Sequence, residues 1–97
     1  MELLPEIVEH LRVMASTGAT VPQLLREIIS RIPNTHSPTF SLVLYMREAF
    51  HLSLRAVTPL GGWDEGGKGE ITDDRIEEFL RPEMETTRHL WERKKRV

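Results

Sequence analysis

Cysteine is missing altogether from these 97 residues. Its absence excludes disulfide staples, thiolate nucleophiles and cysteine zinc sites together, and it suits the reducing cytoplasm, which is the compartment expected. No apolar run approaches the roughly 20 residues that a membrane-spanning helix needs, so no membrane contact is expected. The opening "MELLPEIVEHLRVM" has acids and Pro5 where a secretory signal would have a basic start and an unbroken apolar stretch. Internal repeats and low-complexity tracts are also lacking. What is present is ordinary: 39% of residues are hydrophobic and 6 more are glycine, enough for one core and too few to divide between two. A single domain over residues 1–97 is expected.

The formal charge of −2 is unevenly spread. Residues 1–60 are balanced. Residues 61–80 hold seven acids against Lys68 and Arg75, and residues 81–97 hold six bases against Glu83, Glu85 and Glu92. Partners respond to such local fields rather than to the sum. The pattern is a flexible acidic loop over residues 61–71 and, after an intervening segment, a basic tail over residues 92–97.

Hydrophobic spacing predicts an all-α fold, a single-domain bundle of four to five helices with a Gly-rich acidic loop before the C-terminal helix. Leu4, Ile7, Val8, Leu11, Met14 and Ala15 recur at helical steps and form one face, which Thr17 and Gly18 close. Thr20 opens a second helix, with Gln23 placed for a capping box and Pro22 in the first turn, where no amide partner is needed. Val21, Leu24, Leu25, Ile28 and Ile32 line its buried face, and Pro33 stops it. Ser37 before Pro38 signals a third start. The segment "TFSLVLYMREAF" that follows is apolar on more than one face through Phe40, Val43, Leu44, Met46 and Phe50, and is read as the central helix. Its breadth also admits a homodimer, with the third helix completing a core across a two-fold axis. Ser53 caps a short "LRAVTPL" helix. Thr72 caps the last one, with Ile71 and Ile76 at the positions of a hydrophobic staple. Ile76, Phe79, Leu80, Met84, Thr87 and Trp91 continue that stripe, and Pro82 is expected to kink or break it.

Residues 61–74, "GGWDEGGKGEITDD", concentrate five of the six glycines and five acids. From Asp64, "DEGGKGEITDDR" resembles part of an EF-hand loop, with an acid first, Gly69 sixth, Ile71 eighth and helices on both sides. That family takes oxygen ligands at the third, fifth and twelfth positions as well, and here those are Gly66, Lys68 and Arg75. No metal site follows. A phosphate cradle fails differently: "GGKGE" has no strand before it, lacks the glycine-lysine-hydroxyl order, and stands among acids. No cofactor is expected.

"MREAFHLSLRAVTPLGGW" resembles the opening of a repressor-type helix-turn-helix, with a helix ending near Phe50, a turn at His51-Leu52 and a capping Ser53. In that family a recognition helix enters the major groove next. Here "DEGGKGE" follows, and no base-reading residue carries over. The tail "ERKKRV" can meet phosphates without sequence preference, but such cations also suit a helix C-terminus.

For catalysis, His10, His36, His51 and His89 have no partner histidine at metal-binding spacing. Glu6 with His10 and Glu85 with His89 lie four residues apart, the spacing of ordinary surface pairs as well as of acid–base pairs. No catalytic residue is nominated. What remains is a small non-enzymatic protein-binding module, of the kind of a cytoplasmic antagonist or adaptor such as a toxin-immunity protein. Its candidate contact residues are Trp63, Asp64, Glu65, Glu70 and His51, and an acidic loop suits a basic protein partner. The tryptophans admit two placements: accessible as interface anchors, or in the core, Trp91 on the helical stripe and Trp63 over the glycine turn. The alternative function is a DNA-associated regulator with a degenerate helix-turn-helix and basic tail.

Overall fold

A computed structural model of the chain describes residues 3–32 and 38–93. The order is α1 (Pro5–Ser16), α2 (Val21–Arg31), α3 (Thr39–Phe50), α4 (Leu54–Val57), a 3-10 turn (Thr58–Gly62), α5 (Asp73–Thr86) and α6 (Arg88–Trp91). Where four to five helices are expected, six helical segments appear among the described residues, because α4 and α6 are single turns. The radius of gyration, 12.7 Å, is close to the ~12.5 Å of one compact chain of this length.

The local signals explain the ends. At the close of α1 the Gly18 amide donates to the Ala15 carbonyl and the Ala19 amide to that of Met14, with Gly18 at φ +103°. This left-handed residue is where glycine carries no Cβ penalty. Thr20 and Gln23 form the reciprocal capping box of α2. Ser53 accepts from the Ala56 amide and Thr72 from that of Arg75. Ile76 of the staple is fully buried and Ile71 packs partly against the core. Ser37 and Pro33 lie outside the described residues, as do residues 94–97 of the basic tail.

α3 is central: it packs on α1, α2, α4, the 3-10 turn and α6, while α2 and α5 make the largest contact on the other side. The core joins Leu11, Leu24, Leu25 and Ile28 to Met46, Phe50, Leu60, Ile76, Leu80, Met84 and Trp91. Phe40 differs from its apolar assignment, standing 60% exposed at the start of α3, and Phe79 is 41% exposed beneath the Arg75 guanidinium.

α5 runs through Pro82 without a break. Pro82 and Glu78 both lie on the exposed side, so the carbonyl that loses its amide partner stays within reach of water, which lowers the penalty. The interruption comes instead at Thr87, whose hydroxyl donates to the Phe50 carbonyl at 2.7 Å and ties the α5–α6 junction to the end of α3.

Candidate functional site: the acidic loop and its anchor on α2

The loop begins where the 3-10 turn releases the chain at Trp63. The Ile71 amide donates to the Gly62 carbonyl at 2.9 Å, so residues 62–63 and 71 run side by side. Between them the chain turns on Asp64, whose carboxylate accepts from the amides of Gly66 and Lys68 and whose carbonyl accepts from that of Gly67. Gly67 takes φ +80°. Gly69 crosses the loop's own base: a Cβ there would stand 2.4 Å from the Gly62 carbonyl oxygen. Only glycine fits that crossing.

Trp63 is 6% exposed and belongs to the core. Its indole Nε1 donates to Asp73 Oδ1 at 2.9 Å, which gives the buried N–H the partner it needs. Asp73, the first residue of α5, receives in addition both ends of the Arg26 guanidinium, at 2.9 and 3.2 Å. Arg26 also donates to the Glu65 carbonyl at 3.0 Å and lies 5.3 Å from the centre of the Trp63 ring. One side chain of α2 thus touches the loop backbone, the loop's aromatic residue and the head of α5. The Arg26 guanidinium, and then the Trp63 indole, hold the Asp73 carboxyl below its ordinary value, because both bond to the charged form.

Below this cluster α5 is clamped to the α1–α2 turn. Glu77 accepts from the Val21 amide at 2.6 Å and from Arg81, whose guanidinium reaches the Ala19 carbonyl as well. Burial pushes the Glu77 carboxyl up, but Arg81 and the Val21 amide outweigh it and the net displacement is downward.

Around this anchored base, Glu65, Glu70 and Asp74 are exposed and make no side-chain hydrogen bond or ion pair among the described residues. Asp74 borders an open cleft of about 340 Å³ between the first turns of α2 and α5, together with Thr20, Gln23, Arg26, Asp73 and Glu77. Lys68 is the cation within the loop. Asp64 is exposed but turned into its own loop. Among the described residues no three His, Asp or Glu side chains come together as a metal ligand set.

The residues singled out from the sequence therefore separate. Glu65, Glu70 and Asp64 share the loop, with Trp63 beneath it rather than on it. His51 stands apart, exposed at the α3–α4 turn in the left-handed conformation, φ 54° and ψ 40°. The helix-turn-helix resemblance extends to the end of α3 and the Ser53 cap, but α4 stops after four residues and the 3-10 turn follows. His10 is bonded across to Glu27 of α2 at 2.9 Å rather than to Glu6, and Glu85 pairs with Arg88. At the tail, Arg93 is drawn onto α1, its guanidinium on Glu9 and its amide on the Ser16 hydroxyl. Sequence reasoning missed Arg26. Its only signal was an arginine on the polar side of a helix, and the residues it joins are 39 and 47 positions away.

Comparison with protein families, with curated proteins and with solved structures gave no match.

Proposed function

We propose that this chain is a small non-enzymatic protein-binding module, a cytoplasmic antagonist or adaptor of the toxin-immunity kind, whose acidic loop docks a basic protein partner. The carrying observation is the set of exposed, unpartnered carboxylates on Glu65 and Glu70, on a loop tied to α2, and on Asp74 in the first turn of α5. Charges not already spent on internal pairs are the ones that steer and orient an oppositely charged partner, and a fixed backbone lowers the ordering cost of docking. No helix among the described residues is long and apolar enough to cross a membrane. The test is co-purification from the source cells with wild-type chain and with the Glu65→Gln/Glu70→Gln/Asp74→Asn variant. A specific protein retained by the wild type, and lost with the variant and with added salt, supports the reading. Equal retention by both chains would move the contact surface elsewhere.

A second reading, self-association through α3, rests on Phe40, which is 60% exposed. It predicts a concentration-dependent dimer in sedimentation that Phe40→Ser abolishes. A monomer at millimolar concentration removes it.

A further inference from the structure

Segment 64–70 contains no apolar side chain. Its ends are held well, at Trp63 by burial and at Ile71 by the bond to Gly62 and partial packing against the core. Its middle is held by the Asp64 turn, which is internal, and by the close crossing of Gly69 over the loop's base. Among the described residues, the hydrogen bond that joins this middle to a helix outside the loop is the one from Arg26 to the Glu65 carbonyl. The same guanidinium is oriented by Asp73 and the Trp63 ring, and it is water-accessible, 39% exposed against 42% for Asp73. A segment held by exposed polar contacts, with no buried apolar side chain of its own, opens at a lower free energy than the packed helices beneath it.

We infer that residues 64–70 form a strap latched onto α2 by Arg26, and that the strap opens as a local unit while the helices stay folded. Arg26 is then a positioning residue. Closed, it fixes where Glu65 and Glu70 stand relative to Asp74, which is anchored separately on α5; open, that spacing is lost. The consequence for docking rests on the acidic-surface reading above, but the latch itself does not, and it is tested without a partner.

The experiment is native-state hydrogen exchange on the full chain, comparing wild type, Arg26→Gln and Arg26→Lys. Exchange at the Gly66 and Gly67 amides, both bonded within the strap, should quicken at least tenfold in Arg26→Gln, with Met46 and Ala49 in α3 unchanged. Arg26→Lys, which keeps the charge but not the two-pronged bond, should fall between. Unchanged loop amides in Arg26→Gln would overturn the inference, and so would loop and α3 amides accelerating together. If Arg26→Gln does not fold, added salt on the wild type provides the second measurement. Selective acceleration of the loop amides supports the latch, and no selectivity overturns it. Partner capture that ignores the three carboxylates would sink the docking reading while leaving the exchange result standing.

Discussion

The two tryptophans are both buried, and their indole N–H groups end on different kinds of acceptor. Trp91 is fully enclosed, edge-on to Phe50 at 5.0 Å between ring centres, and its Nε1 donates to a neutral backbone carbonyl, that of Met84. Trp63 is enclosed nearly as well, and a guanidinium lies over each ring, Arg88 at 5.2 Å from the centre of Trp91 and Arg26 at 5.3 Å from that of Trp63, but the Trp63 Nε1 donates to a charged carboxylate. The acceptor in the first arrangement is a backbone carbonyl inside the core, which carries no titrating proton. The second depends on Asp73 and Arg26, both partly in water, where ion pairs are weak and screened. Burial alone therefore does not tell how a residue is secured: one indole ends on the backbone inside the core and the other on a carboxylate partly in water.

The strongest way to break that contrast is to empty the Trp91 side. Trp91→Ala should cost about 3–5 kcal/mol, the range for removing a large buried aromatic side chain, measured by urea unfolding. A loss under ~1 kcal/mol would mean that Trp91 is not a core residue. On the Trp63 side, Gly69→Ala places a Cβ against the Gly62 carbonyl and should cost about 1–3 kcal/mol, the usual range for forced overpacking. A neutral result would show that residues 62 and 69 do not cross as described. Trp63→Phe keeps an aromatic ring and removes the donor to Asp73, so about 1 kcal/mol is expected, discounted from a fully buried charged hydrogen bond because Asp73 is partly solvated.

Acid sharpens the comparison without mutation of Asp73 or Arg26. The folded-state pKa of Asp73 lies below its unfolded value, so the stability it contributes is present above the unfolded value and is lost as pH falls through the folded one. In a Trp91→Phe background, Trp63 emission should shift below the ordinary carboxylate range. In a Trp63→Phe background, Trp91 emission should hold until the helical circular dichroism itself falls. Simultaneous shifts at both tryptophans would remove the distinction. The smallest effect belongs to His51, which adopts a left-handed conformation costly for a side chain with a Cβ. His51→Gly should raise stability by a few tenths to ~1 kcal/mol, the gain being offset in part by the freer unfolded chain. A loss on thermal unfolding would show that the imidazole makes a contact worth more than the strain.

The helix ends were largely legible because their signals are local. Thr20 with Gln23, Gly18, Ser53 and Thr72 each act within four residues and needed no knowledge of the rest. Whether Pro82 breaks its helix was not legible, for the complementary reason: its cost depends on whether the orphaned carbonyl is buried, and that depends on which side of α5 faces α2. The acids of the loop were visible as composition, whereas the distinction between paired Asp73 and free Asp74 was not, since it is decided by an arginine three helices earlier, in α2. Trp63 was open between core and surface on the sequence, and a carboxylate ten residues downstream in α5 provides the partner for its indole.

The clamp that α5 places on the α1–α2 turn bears on the order in which the chain can be completed. Glu77 and Arg81 satisfy the Val21 amide and the Ala19 carbonyl on either side of Thr20. A ribosome delivers that turn more than fifty residues before the groups that finish it. The α1–α2 turn is thus synthesised early, but its backbone groups at Ala19 and Val21 are not satisfied in this way until α5 has arrived in register.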